Sequence, residues 1–170
     1  MLFRSNASEE AVLWVGDNHL TISFKQGTIF SRVIDEKYPD YKTVLPKDNN
    51  KVLTAEREDL LASVRRVSIL SNRATRQVEL KLSNGEAVIT TEDPESASSA
   101  QEKIEVDYEG DDLTLGFNAN YLVDILSHIS TDKVLIRLNT PISATLVEPD
   151  KQGENEEITM LLMPMRTGGE

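Results

Sequence analysis

A helical stretch near the middle of the chain decides the fold: Arg57-Glu-Asp-Leu-Leu-Ala-Ser-Val-Arg-Arg-Val-Ser-Ile-Leu70. Its apolar residues recur at spacings of three and four, which places them in one stripe along an α-helix. The stripe consists of Leu60, Leu61, Val64, Val67 and Leu70. Arg65 and Arg66 fall off this stripe, so we expect them on the exposed side of the helix.

The same pattern of elements is predicted twice after residue 50. The first unit has a short strand, the helix and three further strands, at 51–55, 57–70, 76–82, 86–91 and 101–108. The second unit repeats this order at 112–117, 119–129, 133–138, 142–148 and 157–163. Asn118 stands where a helix N-cap belongs, and Asn84-Gly85 is typical of a two-residue hairpin turn. We therefore predict an α+β fold of repeated β-α-β-β-β units, with two helices on one face of antiparallel sheet.

Three short strands and a proline-containing linker precede this repeat. Segments rich in Val, Ile, Phe and Trp occur at 10–15, 20–24 and 28–34, and are typical of an antiparallel meander. Two prolines and a polar cluster follow between Tyr38 and Asn50, as expected of a linker. We place a domain boundary there, which gives an incomplete domain at 1–50 and a complete domain at 51–170.

Charge is distributed unevenly along the chain. The formal net charge of the 170 residues is −11, which argues against a protein that grips DNA tightly by neutralising phosphates. Between Leu61 and Lys81, however, five basic residues face one glutamate, whereas ten acidic residues face one lysine between Glu86 and Asp112. The basic helix face is either a surface that tolerates a polyanion or an ordinary solvated face.

The sequence offers little for catalysis. It has no cysteine, which excludes disulfides, thiolate metal sites and thiol nucleophiles. His19 and His128 have no metal-binding partner at a suitable spacing, and no glycine-rich nucleotide-binding loop is present. We expect no catalytic residue, no metal and no cofactor. Without an apolar run of membrane-spanning length or a signal peptide, we expect a cytoplasmic protein with no membrane partner.

The segment Met160-Leu-Leu-Met-Pro-Met-Arg166 is the unusual feature near the C-terminus. A final core strand accounts for Met160 and Leu162 but not for Met163-Pro-Met-Arg166, because proline interrupts strand pairing. Flexible methionines beside a proline suit an adaptable apolar groove that binds a peptide.

Five motifs, in the same order, resemble those of bacterial sliding clamps, the ring-shaped beta subunit of the replicative DNA polymerase. They are Tyr38-Pro-Asp-Tyr-Lys-Thr-Val-Leu-Pro46, Arg66-Val-Ser-Ile-Leu-Ser-Asn72, Tyr108-Glu-Gly110, Gly116-Phe-Asn-Ala-Asn-Tyr-Leu122 and Met163-Pro-Met-Arg166. The resemblance implies the DNA clamp fold, with helices lining a central hole. It also implies a processivity factor that tethers the polymerase to duplex DNA without reading bases.

The resemblance further implies three surfaces. A partner-peptide pocket would comprise Pro39, Val44, Asn118, Tyr121, Ile142, Ala144, Leu161, Met163, Pro164, Met165 and Arg166. Arg65, Arg66 and Arg73 would face DNA, and Ile69 with Leu70 would form the ring interface of a homodimer. The implied partners are duplex DNA and the short peptide motifs of the polymerase catalytic subunit, the clamp loader and repair proteins.

The sequence departs from the family pattern in several places. Family chains have three domains, and the domain-two segment that completes their pocket has no counterpart here. Thr43 stands where the family commonly has arginine, and the chain ends Thr167-Gly-Gly-Glu170 rather than at a leucine. We therefore expect a truncated form that cannot close a ring alone. We also expect the strands before residue 37, without domain partners, to self-associate.

Two other functions remain open at the level of sequence. One is a free-standing peptide-binding α+β interaction module without a DNA function. The other is an enzyme that uses the carboxylates of Asp107, Asp111 and Asp112.

Overall fold

A computed structural model of the chain describes residues 10–167. Residues 1–9 and 168–170 lie outside the description, as does most of the C-terminal Thr167-Gly-Gly-Glu170 extension. The described residues divide into two compact units between Asp40 and Tyr41.

The first unit is a three-stranded antiparallel meander. It consists of β1 (Val12–Val15), β2 (His19–Phe24) and β3 (Gly27–Arg32), in the order β1-β2-β3. The predicted strands are confirmed, with ends that differ by one or two residues. Leu13 pairs with Ile22, which pairs with Ile29, so these three side chains lie on one face. Every described residue of this unit is exposed or half-buried, so the sheet has no buried core of its own.

The second unit contains the two predicted helices and nine strands among its described residues. A 3-10 turn at Tyr41–Thr43 precedes them. The elements are β4 (Lys51–Glu56), α1 (Arg57–Ser68), β5 (Gln77–Ser83), β6 (Glu86–Asp93), β7 (Ser98–Glu105), β8 (Asp107–Tyr108), β9 (Leu113–Asn118), α2 (Ala119–His128), β10 (Lys133–Leu138), β11 (Thr145–Pro149) and β12 (Met160–Leu162). The order of elements confirms the predicted repeat.

The strands of the second unit form two sheets, and the helices pack against them. One sheet has the order β12-β11-β10-β4-β8, and the other has the order β7-β6-β5-β9. Helix α1 contacts α2 and also strands of both sheets, as an α+β fold with both helices on one face requires. The apolar stripe predicted from Leu60, Val64 and Val67 is at most 1% exposed. Within residues 10–167, neither helix is long and apolar enough to cross a membrane.

The first helix is shorter than predicted. It ends at Ser68 rather than at residue 70, because the N–H groups of Ile69 and Leu70 donate to the carbonyls of Arg66 and Val67, three residues back. This tighter turn carries Leu70 away from the apolar stripe, and its side chain is 40% exposed. The assignment of Leu70 to the buried stripe was therefore wrong.

Two strand predictions also need correction. The segment 101–108 is two strands in different sheets: β7 starts earlier, at Ser98, and β8 pairs with β4, where Tyr108 lies opposite Leu53. The segment predicted as a strand from residue 142 begins pairing only at Thr145. Pro141 and Ile142 lie in a turn instead, closed by a hydrogen bond from the Ser143 N–H to the Thr140 carbonyl.

Candidate functional site

The methionine-rich tail passes from one sheet to the other. Strand β12 pairs with β11, with Leu162 opposite Thr145. Pro164 has no N–H to continue the pairing, and the chain leaves this sheet. The Met165 N–H then donates to the Gly116 carbonyl on β9, at 2.7 Å, and Gln77 Nε2 donates to the Arg166 carbonyl at 3.2 Å. Residues 163–166 therefore run across the junction of the two sheets, held by backbone hydrogen bonds at both ends.

Helix α2 begins beside the tail. Asn118 caps it, since its Oδ1 accepts from the Asn120 N–H at 3.0 Å, which confirms the predicted N-cap. Its Nδ2 donates to the Thr75 carbonyl at 3.2 Å, so both ends of this amide are engaged within the chain. Tyr121, in the first turn, is 64% exposed. Met165 of the tail pairs with Gly116, two residues before this cap, which places the start of α2 and the tail in the same region.

The β11–β12 pair brings several of the predicted pocket residues together. Leu161 lies opposite Leu146, and Ala144 and Met163 flank the last pair of this ladder. Met163 is 57% exposed and Ile142, in the preceding turn, is 70% exposed, whereas Pro164 and Met165 are half-buried. Large apolar side chains at the surface beside a fixed, irregular tail are what a peptide-binding surface requires.

The two linker residues of the predicted pocket, Val44 and Pro39, belong to different units. Val44 follows the 3-10 turn, donates its N–H to the Tyr41 carbonyl and is 64% exposed. Pro39 belongs to the first unit, before the division at Asp40. The place of Pro39 in the pocket therefore stays a prediction.

A broad cleft of about 1370 Å³ adjoins the tail on the outward face of the β7-β6-β5-β9 sheet. Ile142 and Arg166 from the predicted pocket line one part of it, and polar side chains of the sheet, such as Gln77, Thr90 and Gln101, line its floor. An apolar side chain beside polar groups gives the cleft both an anchor and hydrogen-bonding partners.

The three arginines predicted to face DNA are all exposed, but they differ in their partners. Arg66 Nε and Nη2 contact the two carboxylate oxygens of Glu102 on β7, at 2.7 and 2.6 Å. The Arg66 hydrogen bonds, followed by one from Ser63, lower the pKa of Glu102 to about 2. Arg65 Nη2 donates to the Ser127 hydroxyl on α2 at 3.3 Å. The charge of Arg66 is thus largely offset within the chain, while the charges of Arg65 and Arg73 have no carboxylate partner among residues 10–167.

Ile69 and Leu70 lie at the mouth of a second, smaller recess of about 610 Å³. Ile69 is 74% exposed. The opposite wall is the loop after β6, which Asp93 holds in place by accepting from the Ser96 hydroxyl and the Asn72 amide. These hydrogen bonds, with that of Ser96 the stronger, lower the pKa of Asp93. The pair predicted as a ring interface is therefore an exposed apolar patch beside a loop that is held by hydrogen bonds to Asp93.

The carboxylates considered for an enzyme do not form a metal site. Asp107, Asp111 and Asp112 are exposed, and within the described part of the chain no three His, Asp or Glu side chains lie close enough to hold a metal ion. The Asp111 carbonyl accepts from the buried Tyr108 hydroxyl at 2.8 Å, which is a structural role for this loop.

Sequence reasoning missed three residues that shape these surfaces. Gly116 and Gln77 hold the tail, and Glu102 pairs with Arg66. Gly116 carried a weak signal, because a glycine inside a strand often marks a close approach of another backbone. The partners of Gln77 and Glu102 lie 89 and 36 residues away in the sequence, and no local pattern reveals them.

Residues 42–166 match the family described as DNA polymerase III beta subunit, C-terminal domain. The beta sliding clamp of Pseudomonas aeruginosa is 35% identical over 157 residues, which cover 92% of this chain and 42% of that protein. The beta sliding clamp of Caulobacter vibrioides is 35% identical over 162 residues, which cover 95% of this chain and 42% of that protein. The chain thus spans about two fifths of the length of these relatives.

Solved structures show the same fold. The DNA polymerase III subunit beta of P. aeruginosa superposes with a TM-score of 0.83 at 34% identity, covering 96% of this chain and 44% of that chain. A sliding clamp from Bartonella birtlesii bound to griselimycin superposes with a TM-score of 0.82 at 28% identity, covering 92% and 41%. The family match, the identity to clamps and the shared fold agree, and the chain belongs to the bacterial DNA polymerase III beta subunit, or sliding clamp, family.

Proposed function

We propose that this chain acts as the C-terminal part of a sliding clamp, a cytoplasmic processivity factor that tethers the replicative polymerase to duplex DNA. It binds partner peptides in an apolar pocket formed at its methionine tail, and it catalyses no reaction. Because the chain spans about two fifths of the related clamps, the activity and the partners of a whole clamp are part of this proposal. Family membership and the exposed apolar side chains beside the tail support it.

The geometry of the tail is the observation that carries the peptide-binding role. Its backbone is anchored to Gly116 and Gln77, while Met163 remains 57% exposed and Tyr121 and Ile142 remain 64% and 70% exposed. A fixed backbone with flexible methionine side chains can repack around different peptides at little cost in backbone entropy. We assign Asn118, Ala144, Leu161, Pro164, Met165 and Arg166 to the same pocket, with Pro39 and Val44 contributed by the linker.

The basic outward face of α1 supports the DNA-facing role. Arg65 on α1 and Arg73 in the turn after it provide positive charge on an otherwise acidic chain, which suits a surface that passes phosphates without holding them. Ile69 and Leu70 would pack against a neighbouring subunit in the homodimeric ring. The partners are the polymerase catalytic subunit, the clamp loader and repair proteins, each through a short peptide. A free-standing peptide-binding module is less well supported, because the similar proteins are clamps.

A peptide titration tests the proposal. A fluorescent peptide of the Gln/Leu/Phe type that binds clamps is titrated with the wild-type chain, and affinity is measured by fluorescence anisotropy. We expect Met163→Ala and Tyr121→Ala each to weaken binding by about tenfold, since truncated anchor residues at interfaces have effects of this size.

Ile69→Ala is the matched control, because Ile69 is an apolar residue that is even more exposed than Met163 but lies on the other recess. It should leave the affinity unchanged. Wild-type binding that is unaffected by both pocket substitutions would show that the pocket is misassigned, and no binding at all would overturn the proposed function.

A further inference from the structure

Gly116 departs from the burial pattern of its own strand. Successive residues of a strand face opposite sides of the sheet, so Gly116 shares the outward face with Thr114 and Asn118. Those two residues are half-buried, but Gly116 is fully buried. Met165 forms a β-bridge to Gly116, and the Met165 carbonyl, Gln77 Nε2 and Thr167 Cγ2 occupy the space where a side chain would stand. The tail therefore lies over the outward face of β9 at the one position where that strand has no side chain.

A side chain at residue 116 would collide with the tail. A Cβ atom built there lies 2.8 Å from the Met165 carbonyl oxygen, 3.0 Å from Gln77 Nε2 and 3.1 Å from Thr167 Cγ2. The nearest of these atoms belongs to backbone, which cannot move away by a change of rotamer. Since Met165 also donates its N–H to the Gly116 carbonyl at 2.7 Å, a shift of the tail away from residue 116 would lengthen and weaken this hydrogen bond.

Backbone conformation does not explain the glycine. Among the glycines of residues 10–167, only Gly85, in the hairpin turn after β5, has a positive φ, at 76°. Gly116 has an ordinary strand conformation, which any residue can adopt. Space for the tail, and not the torsion angles, is therefore what requires glycine at this position.

We propose that Gly116 is a positioning residue for the partner-peptide pocket. Without a side chain at 116, the tail can cross from the five-stranded sheet to β9 and present Met163 at the surface. Gln77 assists by fixing the Arg166 carbonyl beside the cleft. This inference rests on the proposed function, because it explains how the pocket wall is built rather than which residues touch the peptide.

Two measurements on the full chain test this role. Hydrogen exchange of the Met165 amide reports directly on its bond to Gly116, and peptide titration reports on the pocket. We expect Gly116→Ala to accelerate exchange of the Met165 amide on the order of tenfold or more and to weaken peptide binding by about tenfold. Amides in α1 should keep their wild-type protection, which shows that the chain is folded.

Two further variants make the result specific. Gln77→Ala adds no bulk and should shift both measurements in the same direction by a smaller factor, which keeps the test valid if Gly116→Ala does not fold. Gly153→Ala is the control, because a Cβ there would be 3.4 Å from its nearest neighbour, an ordinary contact distance, and neither measurement should change. Met163→Ala should weaken binding without accelerating exchange at Met165.

The outcomes distinguish a failure of the positioning role of Gly116 from a failure of the proposed function. If the wild-type chain binds peptide and Gly116→Ala changes neither measurement, the positioning role is wrong and the proposed function stands. Faster exchange with unchanged affinity would also overturn the positioning role, because the tail would then have loosened without any effect on peptide binding. A wild-type chain that binds no peptide overturns the proposed function and the role of Gly116 in it.

Discussion

The two units of the chain contain similar antiparallel strands but differ in what covers them. In the second unit, helices α1 and α2 seal the sheets, and residues such as Leu60, Leu115 and Leu126 are completely buried. In the first unit, the apolar residues Leu13, Trp14 and Phe30 are 57%, 54% and 75% exposed. Strand patterning alone therefore produces a sheet, whereas a stable core requires a second layer.

The largest difference between the units should appear in core substitutions. Leu60→Ala empties a site that is 0% exposed, and we expect it to lower the free energy of unfolding by about 3 kcal/mol. Leu13→Ala removes the same atoms from an exposed strand and should change it by about 0.5 kcal/mol or less. Urea denaturation measures both, and equal effects would show that the first unit has a core after all.

The uncovered strands of the first unit should also make the chain self-associate. We expect the chain to associate through its first unit, because exposed apolar strands with free edges tend to pair with other chains. Ile29→Lys places a charge on the face shared with Leu13 and Ile22 and should weaken association by about tenfold.

Thr28→Lys introduces the same charge on the opposite face of the same strand, and it should leave association largely intact. Sedimentation velocity over a range of concentrations measures both. A wild-type chain that stays monomeric throughout would contradict self-association. Equal loss in the two variants would show that the aliphatic face is not the specific contact, because Thr28 shares its face with the exposed Trp14 and Phe30.

A local hydrogen bond should also contribute more to the free energy of unfolding where a core holds both of its partners in place. Asn118→Ala removes the cap of α2 and the bond to the Thr75 carbonyl, and we expect a loss of about 1 kcal/mol in unfolding free energy. Ser23→Ala removes the hydroxyl contact with Thr28 in the first unit, which is exposed, and should cost about 0.5 kcal/mol or less. Thermal unfolding measures both variants. A larger decrease in melting temperature for Ser23→Ala than for Asn118→Ala would contradict this ordering.

The smallest effect is expected from the half-exposed ion pair of Arg66 and Glu102, and it should depend on pH. The pKa of Glu102 falls from 4.5 to about 2 on folding, so the folded state favours the ionised form. The resulting stability is fully present above pH 4.5 and is lost as the pH falls towards 2. We therefore expect Glu102→Gln to lower the urea midpoint at pH 7 and to lower it less at pH 3. The same decrease at both pH values would contradict this explanation.

Most of the fold could be predicted because its pattern is local. The spacing of Leu60, Val64 and Val67 identifies α1, Asn118 identifies the start of α2, and Asn84-Gly85 identifies the hairpin between β5 and β6. The passage of the chain from one sheet to the other after Val106 could not be predicted, because the pairing of Tyr108 with Leu53 joins residues far apart in the sequence. Ser98 and Ser99 have little strand preference of their own, and pairing with β6 overrides it.

The candidate site could be predicted in part for the same reason. Its exposed methionine and tyrosine belong to short motifs that the sequence displays directly. The hydrogen bonds that place the tail connect residues 166 and 77, and 165 and 116, which no periodicity relates. Such contacts arise only when two sheets meet.

The pairing of Arg66 with Glu102 has a consequence for how the surface of α1 would respond to salt. Each phosphate that a cationic side chain neutralises releases condensed counterions, and lowers the slope of log K against log salt by about 0.9. A guanidinium already matched by a carboxylate at 2.7 Å has little charge left to offer a phosphate, so it adds little to the attraction and little to its salt sensitivity. Arg65, which has no carboxylate partner among residues 10–167, would then carry most of the salt dependence of α1, and a helix with so little unmatched positive charge would hold a duplex loosely.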